Sequence, residues 1–277
     1  MDYLDYQYDP NDPALMAVTD ELPFWSAPFG TELLNAIRFK PGMTVLDIGC
    51  GSGFPMLEIA ERIGKKGTVW GIDPWPAAVA RLREKTERLG ITQVHIIEGQ
   101  AEDATIGEHT CDLIVSNNGI NNVSDIPKTL STCRRSAKHG AQFVMTYNLE
   151  GTMRAFYDVL RAALRDHRRE ENLPLIDQHI RQKRPPLDRM EAWIEESGFE
   201  IGEIKLRQFH MDFTDGKAFF EHHLIRHWFL PSWKNLVPQE ILRPVFTAME
   251  NRMNDIVADD DVFRIEIPFA LIDATAI

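Results

Sequence analysis

The chain has 277 residues, 44% of them hydrophobic and 26% charged, which is enough apolar material for one large globular core and excludes a disordered tail or a small disulfide-held domain. Its formal charge is −12 with a pI near 5.2, a balance that repels phosphate backbones and points away from nucleic acid. Cys50, Cys111 and Cys133 show neither metal spacing nor a paired framework, no run of apolar residues is long enough to span a bilayer, and no signal-like stretch opens the chain; the expectation is a reduced, cytoplasmic protein with no membrane span and no metal.

In chain order, residues 1–30 form an arm rich in Asp, Pro and aromatics. Asp12-Pro13 is set to cap and start a short helix, and Pro23 and Pro28 are expected to break the chain around Phe24 and Trp25. From Thr44 a strand–helix alternation begins. Strands are predicted at 44–48, 68–72, 94–97, 112–116 and 141–147, with helices at 55–63, 76–89 and 126–137, the first two stopped by Gly64 and Gly90. Such alternation implies right-handed βαβ units and a parallel sheet. Farther on, 152–183 is helical and charged, and Pro185-Pro186 punctuates it. A sheet-covering helix is predicted at 187–197, a strand at 203–213, an aromatic-rich helical stretch at 216–256 and a closing strand at 263–273. Arginines 161, 165, 168 and 169 are interleaved with Asp166, Glu170 and Glu171, the pattern of a solvated helix face.

The informative stretch is Val45-Leu46-Asp47-Ile48-Gly49-Cys50-Gly51-Ser52-Gly53. An apolar strand runs into three glycines spaced two apart and then into a helix, so the backbone can turn tightly and approach a ligand near free N–H groups. Asp73 closes the next strand, where a carboxylate can accept both hydroxyls of a ribose. Together these features indicate a nucleoside ligand. A dinucleotide fingerprint would need glycine where Phe54 stands, which argues against a nicotinamide oxidoreductase.

The spacing D-x-G-x-G-x-G resembles the first motif of class I S-adenosylmethionine-dependent methyltransferases, and the resemblance continues through Gly71-Ile72-Asp73-Pro74, Gly99-Gln100-Ala101-Glu102 and Asp112 to Asn118. It implies an α/β fold, a Rossmann-like doubly wound and mostly parallel seven-stranded sheet with helical lid insertions. The implied organisation is an arm or lid over 1–30, a cofactor-binding core over 31–150, and a C-terminal half over 151–277 with insertions near 152–185 and 216–256. S-adenosyl-L-methionine is the implied cofactor. Gly49, Gly51 and Gly53 would form the loop under its methionine part, with Cys50 among them, and Asp47 would hold the amino end. Asp73, followed by Pro74, would bind the ribose; Ala101 and Glu102 would adjoin the adenine; Asn117 would lie at the strand end beside the transferable methyl, with Asn118 the next cofactor-binding residue. Gln100 stands where many relatives carry Asp, a weaker acceptor for the adenine amino group.

Methyl transfer from a sulfonium needs alignment more than a base. Candidates on the acceptor side are Trp25, Phe29 and Asn122, together with Phe220 and Trp228 from a helical stripe. His223, His227 and Tyr147 are candidate catalytic groups. The leading expectation is a small organic acceptor, apolar or aromatic, in a lidded, aromatic-lined pocket. The alternatives are an RNA or protein methyltransferase, which the acidic balance disfavours, and a protein that binds S-adenosylmethionine without turnover. The cysteines do not form the thiol trap that arsenic would need. Oligomeric state is not encoded in any feature of the sequence.

Overall fold

The computed structural model describes residues 2–7 and 9–277. Among these residues seven strands form one sheet in the order β3-β2-β1-β4-β5-β7-β6. The strands are β1 (Thr44–Ile48), β2 (Thr68–Asp73), β3 (Val94–Glu98), β4 (Cys111–Asn117), β5 (Ala137–Asn148), β6 (Phe199–Phe213) and β7 (Phe263–Ala276). Strands β1 to β5 pair in parallel, and β7 returns antiparallel to β5 in the register Val144 to Asp273 and Asn148 to Phe269. This is the expected doubly wound, mostly parallel α/β sheet.

The helices in chain order are α1 (Asp2–Asp5), α2 (Pro13–Glu21), α3 (Ser26–Ala36), α4 (Met56–Ile63), α5 (Pro76–Leu89), α6 (Ile126–Ser136), α7 (Arg154–Asp166), α8 (Leu173–Lys183), α9 (Leu187–Glu196), α10 (Gly216–Glu221), α11 (Leu230–Lys234) and α12 (Leu242–Asp260). No helix among the described residues is long and apolar enough to cross a membrane.

Residues divide into two compact units, each considered by itself. A sheet unit comprises 10–148, 185–207 and 269–277; a helical unit comprises the described residues up to Asp9, 149–184 and 208–268.

In the sheet unit, β1 and β4 are buried on both faces, which is why they read as continuous apolar runs rather than alternating ones. Val45, Leu113, Val115 and Val144 pack with Met56, Ile59 and Ala60 of α4 and Leu82 of α5 in one cluster. Helix starts carry their own signals. Asp12 Oδ1 accepts from the Ala14 N–H at 2.9 Å, and Asp125 Oδ1 from the Lys128 N–H at 2.9 Å. Each such cap is worth about 1 kcal/mol. Gly90 closes α5 in the left-handed region at φ 63°. Several boundaries differ from the sequence reading by one or more residues, and two of them are instructive. Pro28 does not break the chain but sits in the first turn of α3, where the missing N–H costs nothing. Strand β5 begins at Ala137, directly after α6, so that helix ends one residue early.

In the helical unit the core is aromatic. Phe156 stacks on Trp233 with centroids 3.6 Å apart, and Phe220 stacks on Tyr3 at 4.9 Å. The stretch predicted as one helix over 216–256 is interrupted: α10 ends at His222, whose ψ of 133° is extended, and a π-helical turn covers Ile225–Phe229 before α11. The 152–183 stretch is likewise split into α7 and α8, with Arg168 at φ 56° between them. Two of its arginines are ion-paired: Arg161 meets Asp177 at 2.7 Å, and Arg169 meets Glu240 at 3.4 Å.

Candidate active site

The carboxyl ends of β1 to β5 gather the polar residues of the sheet unit, as parallel α/β sheets do. The loop after β1 takes positive φ at all three glycines, 77° at Gly49, 51° at Gly51 and 111° at Gly53. These glycines serve different ends. A side chain at Gly49 would meet the Gly119 backbone at 3.0 Å, and one at Gly53 would meet Leu82 at 2.6 Å; both are packing constraints. A side chain at Gly51 would meet nothing within 4 Å, so here the backbone itself borders open space.

Asp73 at the end of β2 holds this loop. Its Oδ2 accepts from the Gly51 N–H and its Oδ1 from the Trp75 N–H, both at 2.9 Å. Burial raises the carboxyl above its ordinary range, and the two backbone donors partly offset that rise. Each oxygen keeps a second lone pair for a hydroxyl donor.

Asp47, one residue before the end of β1, is fully buried, and neither carboxylate oxygen has a hydrogen-bond partner among the described residues. Burial, followed by the charge of Asp73, pushes its pKa up to about 8. An acid so placed is costly unless a cation or donor arrives to complete it. Cys50, beside the glycines, is buried, and its thiol is raised well above the ordinary value by burial and then by Asp47 and Asp73. It packs against the position Gly71 leaves clear, where a side chain would come within 2.9 Å of its sulfur.

Pro74, directly after β2, is exposed; beyond β3, Gln100 is exposed and Ala101 is buried. Glu102 is buried with Oε1 accepting from the Ser124 and Asp125 N–H groups at 2.7 and 2.9 Å, so it fixes the loop that launches α6. Its Oε2 has no partner among the described residues. After β4, Asn117 donates to the Ser26 carbonyl at 3.1 Å and accepts from the Thr146 hydroxyl at 3.0 Å. Asn118 takes φ 54° and accepts from the Asn148 N–H at 3.1 Å. Asn122, exposed, donates to the Asn118 carbonyl at 3.0 Å. Asn121 donates to Asn148 Oδ1 at 2.9 Å. The asparagines therefore brace the β4 and β5 ends against each other.

Of the acceptor-side residues, Trp25 is half-buried. Phe29 is fully buried, its ring 5.5 Å from Trp25 and 4.7 Å from Phe269. Tyr147 lies inside β5, fully buried, with no partner for its hydroxyl among the described residues. Burial, then the charges of Glu191 and Asp188, raise its pKa, so it is a donor at neutral pH and not a base. His223, His227, Phe220 and Trp228 all belong to the helical unit. Phe220 is fully inside, and Trp228 is half-buried. The break at His222 removes the single helical stripe that linked Phe220 to Trp228. The His223 carbonyl accepts from His227 Nδ1 at 2.7 Å, and burial lowers both imidazoles, which leaves them neutral near pH 7.

Asp20 of α2 escaped the sequence reading. Its carboxylate accepts from Ser52 at 2.8 Å, Lys85 at 2.5 Å and Arg81 at 3.0 Å, which ties the arm to the glycine loop and to α5. The only sequence trace is Arg81 and Lys85 at four-residue spacing, one face of α5 asking for an acid.

Comparison with known proteins places this geometry. A family model described as a methyltransferase domain matches residues 39–195. The demethylmenaquinone methyltransferase of Bacillus cytotoxicus is 29% identical over 128 residues, 46% of this chain and 54% of that protein. The 2-phytyl-1,4-naphtoquinone methyltransferase of Trichormus variabilis is 34% identical over 105 residues, 37% of this chain and 45% of that protein. The chain thus spans about half the length of the curated relatives it matches. The YcgJ protein of Bacillus subtilis shares the fold with a TM-score of 0.61 and 13% identity, over 90% of this chain and 97% of that one. The match over more than half the chain, the glycine loop and the sheet order together make it a member of the methyltransferase-domain family, the class I S-adenosylmethionine-dependent methyltransferases.

Proposed function

We propose that the chain moves a methyl group from S-adenosylmethionine to a small aromatic acceptor. The observation that carries this reading is Asp47: a fully buried acid with no partner, behind a loop whose middle glycine borders open space. That combination suits a ligand that brings its own cation. Bound S-adenosylmethionine supplies a methyl group already activated by a sulfonium charge.

The residues divide the work of holding it. Asp47 takes the cationic amino end and ionises in doing so. Asp73 accepts the ribose hydroxyls while keeping Gly51 and Trp75 in place. Ala101 borders the adenine with Gln100 and Pro74, and Glu102 fixes the adjoining loop. Asn117 and Asn118, locked to β5, hold the strand end beside the methyl. On the acceptor side, Trp25 and Asn122 are the sheet-unit residues with accessible surface, and Tyr147 offers a proton to hydrogen-bond rather than to abstract. His223 and His227 of the helical unit are neutral imidazoles, the candidate bases of the sequence reading. The acceptor class rests on the names of the relatives, which act on naphthoquinones, and on the acidic surface, which disfavours RNA.

The test is calorimetric titration of the full chain with S-adenosylmethionine, NAD and NADP, followed by labelled-methyl transfer to naphthoquinones in both redox states. Binding of S-adenosylmethionine alone is expected. Asp73→Ala removes charge-assisted hydrogen bonds worth about 1.5–3 kcal/mol each, so affinity should fall by about tenfold or more. Binding of a nicotinamide nucleotide instead, or unchanged affinity in that variant, overturns the assignment.

A further inference from the structure

The helical unit carries a cluster of arginines that the proposed reaction leaves unused. A cavity of about 240 Å³ lies between α7 and α8, walled by Gly151, Arg154, Tyr157, Arg161, Ile180 and Arg181, with Glu150 and Asp177 at its edge. Arg154, Tyr157 and Arg161 are spaced three and four apart, so α7 presents them on one face. Asp177 is already paired with Arg161 at 2.7 Å. Arg154 and Arg181 have no ion-pair partner among the described residues, and one carboxylate, Glu150, is left to answer both.

Behind the wall stands Arg184. Its side chain is buried, with the residue 3% exposed, and no carboxylate among the described residues pairs with it. Its Nε is buried without a partner. What it has is Tyr157: Nη1 donates to the phenol oxygen at 3.3 Å, and the guanidinium lies 5.6 Å over the ring. The same oxygen accepts from Trp233 Nε1 at 3.3 Å. Both lone pairs of the Tyr157 hydroxyl are then taken, so its proton is left to give. A buried guanidinium without a counter-ion is expensive, and one cation–π contact offsets only a part of that cost. The field is felt nearby, since burial and then the charges of Arg184 and Lys183 push His179 down to about 4.

We propose that this cavity binds the oxyanion group, carboxylate or phosphate, of a small molecule. Tyr157 donates its hydroxyl proton to the oxyanion, with Arg184 behind it strengthening that donor; Arg154 and Arg181 supply charge from the rim. The site stands on the helical unit alone and does not depend on methyl transfer.

The test titrates the full chain with inorganic phosphate and, separately, with propionate, by calorimetry at low chloride. Saturable binding of at least one anion is expected, weakened by about tenfold in Arg154→Gln and in Tyr157→Phe, each of which loses a charged or polarised donor. Saturation by phosphate alone assigns a phosphate ligand, and by propionate alone a carboxylate. Arg184→Gln should abolish binding; should it fail to fold, the exposed Arg154 and the ring-preserving Tyr157→Phe still decide the matter. No saturation by either anion, or wild-type affinity in both of those variants, overturns the proposal.

Discussion

Two aspartates of the sheet unit, both removed from bulk water, are treated in opposite ways. Asp20 receives three donors, from Ser52, Arg81 and Lys85. Burial by itself would raise its carboxyl, but the hydrogen bonds of Lys85 and Ser52, with the Lys85 charge and Arg81, bring it below its ordinary value. Asp47 receives none and rises to about 8. One acid is completed by its neighbours within the fold, and the other is left without a partner, as the proposed binding of a cationic ligand requires. On the proposed reading the contrast separates a structural acid from a binding one without any appeal to motif: the completed network serves folding, and the incomplete one awaits a ligand.

The largest effect should come from Asp47→Asn. The amide keeps the shape and removes the charge that a cationic ligand needs. A charge-assisted hydrogen bond is worth about 1.5–3 kcal/mol, so affinity for S-adenosylmethionine should fall by about ten- to a hundredfold. Near pH 7 the wild-type acid holds a proton that the ligand's ammonium displaces. Titration in buffers of different ionisation enthalpy should therefore show proton release in the wild type and none in the variant. The pH dependence of stability has a definite sign. The folded carboxyl titrates near 8 against an ordinary value of 3.8, so the native state binds the extra proton between these limits. Stability is fully present at the acid end and is lost as pH rises through the folded value. The melting temperature of the ligand-free wild type should fall from pH 6 to pH 8, and Asp47→Asn should flatten that slope. A variant with undiminished affinity and an unchanged slope would erase the distinction between the two acids.

Asp20→Asn should show the reverse pattern at smaller size. Its lowered carboxyl contributes stability above the unfolded value, lost as pH falls through the folded one. Arg81 and Lys85 keep partial access to water, each 23% exposed, so losing their counter-ion costs about 1–2 kcal/mol rather than more. Denaturant unfolding at pH 7 should show that loss, with the affinity for S-adenosylmethionine shifted less than in Asp47→Asn. Should affinity collapse while stability holds, Asp20 would be a binding residue reaching the loop through Ser52.

The same contrast explains what the sequence disclosed. In the sheet unit, glycine and proline punctuate elements whose burial is set by the parallel sheet, so strand 44–48 and helix 76–89 are legible to the residue. The glycine loop is legible because few residues besides glycine take positive φ readily, and Asp73 because an acid closes β2. The helical unit hid its structure. Phe219, Phe220, Ile225, Leu230 and Trp233 are all buried, so no single face is apolar and periodicity cannot locate the break at His222. Tertiary packing decided that break. Asp20 and Arg184 were silent for a related reason: each acquires meaning from residues distant in sequence, Arg81 and Lys85 for the first and Tyr157 for the second. An isolated charge carries no period.

The smallest predicted effect tests whether an unpartnered polar atom always signals function. Tyr147 resembles Asp47 in being buried with no partner for its oxygen among the described residues. It differs in that its hydroxyl keeps its proton well above neutral pH, whereas the Asp47 carboxyl can release its proton to a cation. Tyr147→Phe removes an unsatisfied group and keeps the ring, so stability should be unchanged or rise by about 0.5–1 kcal/mol. With its proton held firmly, Tyr147 can contribute only a hydrogen bond to an acceptor, and kcat/KM should fall by less than about tenfold. A pH–rate profile keeping its shape in the variant would agree with a donor. A lost limb would make the tyrosine the titrating group, against the direction in which burial and the charges of Glu191 and Asp188 move it. A rate equal to that of the wild type would mean that Tyr147 belongs with the core of β5, and that an unpartnered atom marks a binding site only where the group, like Asp47, can ionise to meet a ligand.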